Sequence, residues 1–197
     1  MIDEGYIKFK VNWTKTVSLS AAEIAELNHW RQKMYDLNLM GAYENGIGFG
    51  NISQRIGQSN QFYISGSKTG NFRTLNANHY SKVTQVVIDE NTLDCTGASI
   101  ASSESMSHAV IYEHCAWVNA VIHVHHLELW KKLLYQIPTT EKGVPYGSPE
   151  MAHSIIDLLK NTDAQEQKIF VMEGHEEGIF VFGADLEEAA AVIGTYL

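Results

Sequence analysis

Apolar residues Ile24, Leu27, Trp30, Met34 and Leu37 recur at helical spacing behind Ser20-Ala-Ala-Glu23. That tetrapeptide has the capping-box pattern, with Ser20 as N-cap and Glu23 at the third helical position, and Gly41 supplies the stop. The pattern then changes. A Gly-rich stretch from Gly46 to Gly50 leads into Asn51-Ile52-Ser53, and Gln61 to Ser65 and Val83 to Ile88 read as strands. Ser102-Ser103-Glu104 opens a helix to about His114, with Met106, Ala109 and Val110 on its apolar face. Val118 to His125 is a β-branched strand, and Leu127 to Tyr135 is a helix burying Leu127, Trp130, Leu133 and Leu134. Ser148-Pro149 starts another helix, with serine as N-cap and proline at the first turn. Lys168 to Met172 and Gly178 to Phe182 are close enough in sequence to pair as a hairpin. Asp185 caps a last helix whose Leu186, Ala189, Ala190 and Ile193 pack inward. Helices alternating with strands, ending in a hairpin, predict an α/β sandwich with a mixed or mainly antiparallel sheet.

The 197 residues suit one domain spanning 1–197, with no repeat, low-complexity stretch or linker and only three prolines. Net charge is −9, which argues against nucleic acid as a partner because phosphate backbones need a basic surface. A small anionic substrate needs only local donors and stays open. The two cysteines, Cys95 and Cys115, form neither a disulfide framework nor a CxxC metal pair. No apolar run reaches the roughly 18 residues of a membrane span. The mixed, charged start MIDEGYIKFK is not a signal peptide, so a cytoplasmic location without membrane contact is expected.

Candidate chemistry begins at Ala120-Val-Ile-His-Val-His125. Strand side chains alternate, so His123 and His125 project from one face while Val124 and His126 take the other. Such a pair can aim two imidazoles at one ion, or can be two ordinary half-buried histidines. The best third ligand is His175, in Glu173-Gly-His-Glu-Glu-Gly178 just after a strand, where Gly174 allows close approach. Three imidazoles leave zinc, or another divalent ion, an open position for water or substrate. His114, His126 and His153 read as core or surface histidines.

Glu104 stands in the first turn of a helix, close in sequence to the histidine strand. Beside a metal it can shuttle a proton; at a helix start it can simply cap. His108, one turn later, either orients Glu104 or is packed. Ser102 and Ser103 at the same helix start, Gly50-Asn51, and Ser65-Gly-Ser67 with Lys68 offer small residues and N–H donors that can cradle a phosphate. The same residue types also mark ordinary turns.

Taken in order, these segments resemble the class II aldolase/adducin family, which includes L-fuculose-phosphate aldolase and L-ribulose-5-phosphate 4-epimerase. The resembling residues are Gly50-Asn51-Ile52-Ser53 with Arg55, Ile64-Ser65-Gly-Ser67, and Ser102-Ser103-Glu104 with His108. His123-Val-His125, Pro145-Tyr146, His175 and Gly183-Ala-Asp-Leu-Glu-Glu-Ala189 complete the set. The resemblance spans about Leu19 to Ile193. It implies a three-layer α/β sandwich, a central largely antiparallel sheet flanked by helices, assembled as a homotetramer. It implies His123, His125 and His175 as zinc ligands and Glu104 as the acid/base that also ligates the metal before substrate arrives. Asn51, a serine of the 65–67 turn (Ser65 or Ser67), Ser102 and Ser103 would hold a substrate phosphate. The implied activity is a zinc-dependent aldehyde-lyase acting on a small phosphorylated ketose through a metal-bound enediolate. An epimerase, dehydratase or decarboxylase on the same metal, and a non-catalytic metal-binding relative, are the alternatives.

Departures bear on the reaction rather than on the metal. His175 is followed by Glu176 where the family has glycine, placing a charge beside the metal. The 65–70 turn reads Ser-Gly-Ser-Lys-Thr-Gly in place of the family's Thr-Pro-Ser/Thr-Gly. Aldolases of the family use a tyrosine from a neighbouring subunit to protonate the leaving oxygen, but the stretch Ile137 to Tyr146 looks too short to supply it. Tyr146 matches a later Pro-Tyr position, and a longer C-terminal tail has no counterpart after the last helix.

Overall fold

The computed structural model describes residues 6–197; the first five residues of the charged N-terminal stretch, 1–5, lie outside the described residues. In chain order the elements are β1 (Lys10–Lys15), α1 (Ala25–Asp36), β2 (Gly41–Ala42), β3 (Gly48–Phe49), β4 (Asn51–Arg55) and β5 (Phe62–Ser65). Next come β6 (Tyr80–Val87), β7 (Thr92–Gly97), α2 (Ser105–His114), β8 (Ala120–His125) and α3 (Leu127–Leu133). The chain closes with α4 (Pro149–Asn161), α5 (Ala164–Gln167), β9 (Ile169–Val171), β10 (Gly178–Gly183) and α6 (Leu186–Gly194).

Eight strands form one sheet in the order β1-β7-β6-β5-β4-β8-β10-β9, and β2 and β3 pair separately. The large sheet is mixed: β1 runs parallel to β7, and the other neighbours are antiparallel. Six of the seven neighbouring pairs are antiparallel, so the sheet is largely antiparallel as expected and departs from that pattern only at the β1 edge. β1 is reached by a connection too long for a hairpin, so it is free to join in parallel. Alternation along β8 and β10 divides the interior. Val121, Phe180 and Phe182 pack with Met106, Val110, Met151 and Ile155 of α2 and α4. Ile122, Val124, Ile179 and Val181 pack on the other face with Leu27, Leu129, Leu186 and Ile193 of α1, α3 and α6. Every residue of β8 is buried, because helices cover the sheet there on both sides.

Several local signals act as the sequence implies. Ser148 Oγ accepts from Met151 N at 3.2 Å with Pro149 at the first turn, and Asp185 accepts from Glu188 N at 2.7 Å. Ser20 and Glu23 form the reciprocal box, with Ser20 N donating to Glu23 Oε2 at 2.8 Å and Glu23 N to Ser20 Oγ at 3.2 Å. Regular helix nevertheless begins only at Ala25. It ends at Asp36, not near Gly41, because Asn38 takes the left-handed conformation (φ 58°) that terminates helices. Leu37 is consequently exposed at 55% rather than part of the core. On α3 the inward residues are Leu129 and Leu133, with Leu127 displaced to the first helical position. No helix of the described residues is long and apolar enough to cross a membrane.

Candidate metal centre and anion cleft

His123 and His125 lie on the α2–α4 face of β8, at the register positions opposite Phe180 and Gly178 of β10. His175 stands in the turn between β9 and β10. Its Nε2 is 2.9 Å from His125 Nε2, which is 3.1 Å from His123 Nε2. All three rings are buried, and one ligand atom from each lies within 4.8 Å of the others. Two glycines make this convergence possible. A Cβ on Gly174 would stand 1.9 Å from the Val144 carbonyl oxygen, and one on Gly178 would stand 2.4 Å from His175 Cδ2.

The partners of the outer ring nitrogens decide the tautomers. The Ile179 carbonyl can only accept, so His123 Nδ1, 3.2 Å away, carries the proton. Tyr43 donates its hydroxyl proton to Glu177 Oε2 at 2.7 Å, so its oxygen accepts from His125 Nδ1 at 2.9 Å. Both histidines therefore present Nε2 lone pairs toward one another. Bare lone pairs at this spacing repel. A divalent cation among them reverses the sign, and zinc–nitrogen bonds of 2.0–2.1 Å at tetrahedral angles hold ligand nitrogens roughly 3.3 Å apart. The three-histidine set thus fits a metal ion. Burial, and the neighbouring His125 and His175, hold His123 well below the usual histidine range, keeping it neutral and able to ligate.

Glu104 is fully buried and is the N-cap residue of α2, just ahead of the first turn where it was expected, because regular helix begins only at Ser105. Its side chain makes no cap hydrogen bond; instead Oε2 accepts from Ser107 Oγ at 3.2 Å. Among the described residues the converging metal set is the three histidines, without Glu104. His108 does not orient Glu104. Its Nε2 lies 2.6 Å from Asn51 Oδ1 and its Nδ1 lies 2.6 Å from Ser53 Oγ. Ser53 in turn meets Tyr112 OH at 2.7 Å. Tyr112 donates to Ser53, Ser53 to His108, and His108 to the Asn51 carbonyl oxygen. Burial pushes His108 down to about 3, so it stays neutral and serves this relay.

Asn51 pairs in register with His123, so the turn before β4 abuts the metal strand. The Asn51 amide oxygen is engaged by His108, and the residue lines a cleft together with Gly50, Ser67, Lys68, Ser102 and Ser103. The expected phosphate residues Asn51, Ser67, Ser102 and Ser103 are brought together here. Ser65 is not among the lining residues; its Oγ accepts from Ile52 N at 3.2 Å and ties β5 to β4. Arg55 stays outside the cleft, donating to the carbonyls of Val118 at 2.7 Å and Cys115 at 3.0 Å. His126 caps α3 by accepting from Leu129 N, and His153 meets Asp89 at 3.2 Å.

The carboxylate beside the histidines is Glu177, not Glu176, which is exposed. The His125 Nδ1–H edge, 3.7 Å away, and the hydroxyl donated by Tyr43 hold the Glu177 carboxyl below the usual range. Sequence reasoning missed Tyr43 and Glu177. The Glu-Glu pair after His175 was a signal, but Tyr43 is separated from its partners by 82 and 134 residues. Tyr146 is buried with its ring 4.4 Å from that of His175, and its hydroxyl accepts from Tyr6 N at 3.3 Å.

Solved structures similar to this fold include an L-fuculose 1-phosphate aldolase, at TM-score 0.65 and 16% identity, covering 91% of this chain and 86% of that one. An L-fuculose-1-phosphate aldolase from Thermus thermophilus matches at TM-score 0.63 and 19% identity, covering 90% of each chain. A sugar-phosphate aldolase from Thermotoga maritima matches at TM-score 0.64 and 16% identity, covering 89% of this chain and 90% of that one. At such identities the likeness is one of fold. A search among curated proteins returns no significant match. The family profile described as Class II Aldolase and Adducin N-terminal domain matches residues 42–196, which contain the three histidines, Glu104 and the cleft. The chain belongs to the class II aldolase and adducin N-terminal domain family.

Proposed function

We propose that this protein is a zinc-dependent lyase of the class II aldolase type that cleaves a small phosphorylated ketose. The observation that carries the reading is the convergence of the three Nε2 atoms, with two tautomers set by hydrogen bonds on the opposite ring nitrogens. His123, His125 and His175 would hold the ion. A divalent ion held there supplies Lewis-acid polarisation of a ketose carbonyl and carries developing negative charge.

The chain's own residues do the rest. Asn51 offers its amide NH₂, and Ser102 and Ser103 offer donors ahead of α2, to grip the phosphate; Ser67 and Lys68 close the cleft. Ser65 supports that turn from behind through Ile52. The Glu104 carboxylate, buried and tied by Ser107 instead of capping its helix, moves a proton at the substrate carbon next to the carbonyl. The fold neighbours named as sugar-phosphate and L-fuculose-phosphate aldolases support the substrate class. A homo-oligomer, tetrameric as in the family, belongs to the same proposal and is checked by light scattering.

The test is metal analysis followed by a screen of phosphorylated ketoses for released aldehyde. About one zinc per chain is expected from a three-histidine set with one open position. His123→Ala or His125→Ala should abolish binding, and full retention of metal in either variant defeats the assignment. Turnover without aldehyde release favours the epimerase or dehydratase reading of the same site.

A further inference from the structure

Tyr43 and Glu177 lie outside the metal set yet are built tightly against one of its members. Tyr43 follows β2 in a small hairpin closed by Tyr43 N donating to Ile47 O at 2.9 Å and Gly46 N to Tyr43 O at 2.8 Å. Phe49 of β3 packs on the Tyr43 ring at 4.6 Å and on the His125 ring at 5.5 Å. The hairpin thereby brings the Tyr43 hydroxyl between His125 Nδ1, at 2.9 Å, and Glu177 Oε2, at 2.7 Å. Glu177 Oε2 itself stands 3.7 Å from His125 Nδ1.

Glu177 also occupies an unusual backbone state. Its φ is 71°, in the left-handed region that glycine adopts freely and a side chain resists. The turn holds it there: Gly178 N donates to His175 O at 2.9 Å and His126 N to Glu177 O at 3.0 Å. A strained conformation kept by a non-glycine residue points to work done by its side chain. Among the described residues, the carboxylate's close polar contacts are Tyr43 and the Nδ1 edge of His125, on the side of the ring opposite Nε2.

Resting on the metal reading above, we propose that Tyr43 and Glu177 are a positioning pair for the metal ligand His125. Glu177 turns the Tyr43 hydroxyl so that its oxygen accepts from Nδ1. The proton is then kept on Nδ1, the ring is held in place, and Nε2 is left as the donor to the ion. A carboxylate behind a ligating imidazole also raises the ligand's basicity, and losing such a partner costs about 10–100-fold in metal affinity. The glutamate is kept at this turn position because it completes the hydrogen-bonded chain that glycine cannot.

The test uses cobalt(II) as probe in wild type, Tyr43→Phe, Glu177→Gly and the double variant. Glycine suits the left-handed backbone, so Glu177→Gly keeps the turn and the fold. Two-bond ¹⁵N–¹H correlation spectra of the metal-free proteins read the His125 tautomer. The Nδ1–H form should dominate in wild type and give way to the Nε2–H form in the double variant. Cobalt affinity, from competition with a chelator, should fall about 10–100-fold in the double variant. The melting temperature of the metal-free Glu177→Gly protein should stay level or rise, as a purely structural role for Glu177 would not allow. A double variant with the wild-type tautomer and affinity overturns the positioning pair while leaving the metal reading intact. A wild-type protein that takes up no cobalt overturns both.

Discussion

His108 Nε2 donates to Asn51 Oδ1 across 2.6 Å, joining a residue of α2 to the first residue of β4. This contact occupies the asparagine's amide oxygen, which leaves the NH₂ as the group that Asn51 can offer to the cleft it lines. A buried network of this kind is worth most when every member is satisfied. Ser53→Ala removes the donor to His108 Nδ1 and the acceptor for Tyr112 OH. Leaving such buried groups unpaired costs about 1–3 kcal/mol. The expected result is a lower denaturation midpoint and a raised KM for the phosphorylated substrate, at unchanged metal content. An unaltered KM would separate the relay from substrate binding.

Acid should act on the same relay. His108 has a folded value of about 3 against 6.5 for an ordinary histidine, because burial penalises its charged form. The unfolded chain therefore takes up the proton first. The contribution is fully present above about pH 6.5 and is lost as pH falls from there toward 3. His108→Gln has no proton to take up. Urea midpoints measured between pH 7 and 4 should fall less steeply in this variant than in wild type, whatever its stability at pH 7. Parallel curves would contradict the buried neutral state.

Glu104→Gln preserves shape and removes the basic carboxylate. Since the converging ligand set is three histidines, zinc content should be largely retained. Lyase activity should fall by roughly 10²-fold or more, the usual scale for a general acid or base. An unchanged rate would remove Glu104 from the chemistry; complete loss of zinc would make it chiefly a ligand.

Gly178→Ala separates metal affinity from folding. The added Cβ would stand 2.4 Å from His175 Cδ2 and 3.1 Å from His123 Cε1, so relief requires the rings to move apart. Zinc affinity should drop well below wild type while the protein remains folded by circular dichroism. Normal affinity would mean that the turn adjusts without displacing His175.

Tyr146 bears on the reaction. With its ring against His175 and its hydroxyl bonded by Tyr6 N, it is positioned by the N-terminal segment. If it does not replace the family's proton-donating tyrosine, cleavage of L-fuculose 1-phosphate should be slow, since losing a general acid costs about 10²–10⁴ in rate. Solvent deuterium exchange into dihydroxyacetone phosphate should survive, because it needs only the metal and Glu104. Cleavage near the median enzyme rate of about 10 s⁻¹ would identify another acid, with Tyr146 the first to mutate.

Much of this arrangement was legible in the chain itself, wherever the physics is local. The period-two spacing of His123 and His125 put both on one face of β8, and Val124 on the other, before any partner strand was known. Ser148-Pro149 and Asp185 marked helix starts because a cap needs only its own next few residues. Strands β1 and β7 carried weaker signals: β1 is largely exposed, so no alternation of apolar residues announced it.

What the tertiary structure alone decided is which distant groups meet. Sequence order placed Glu104 and His108 one helical turn apart and suggested a pair, yet the fold sends His108 to Asn51 and Ser53 and gives Glu104 to Ser107. It likewise selects Glu177 over Glu176 and brings Tyr43 to both Glu177 and His125. Hydrogen bonds act over about 3 Å, and strand periodicity constrains only a residue's face, not its cross-sheet neighbour. The three candidate histidines could therefore be singled out from residue types and spacing, whereas the groups that orient them depend on register, turn conformation and the approach of separate elements.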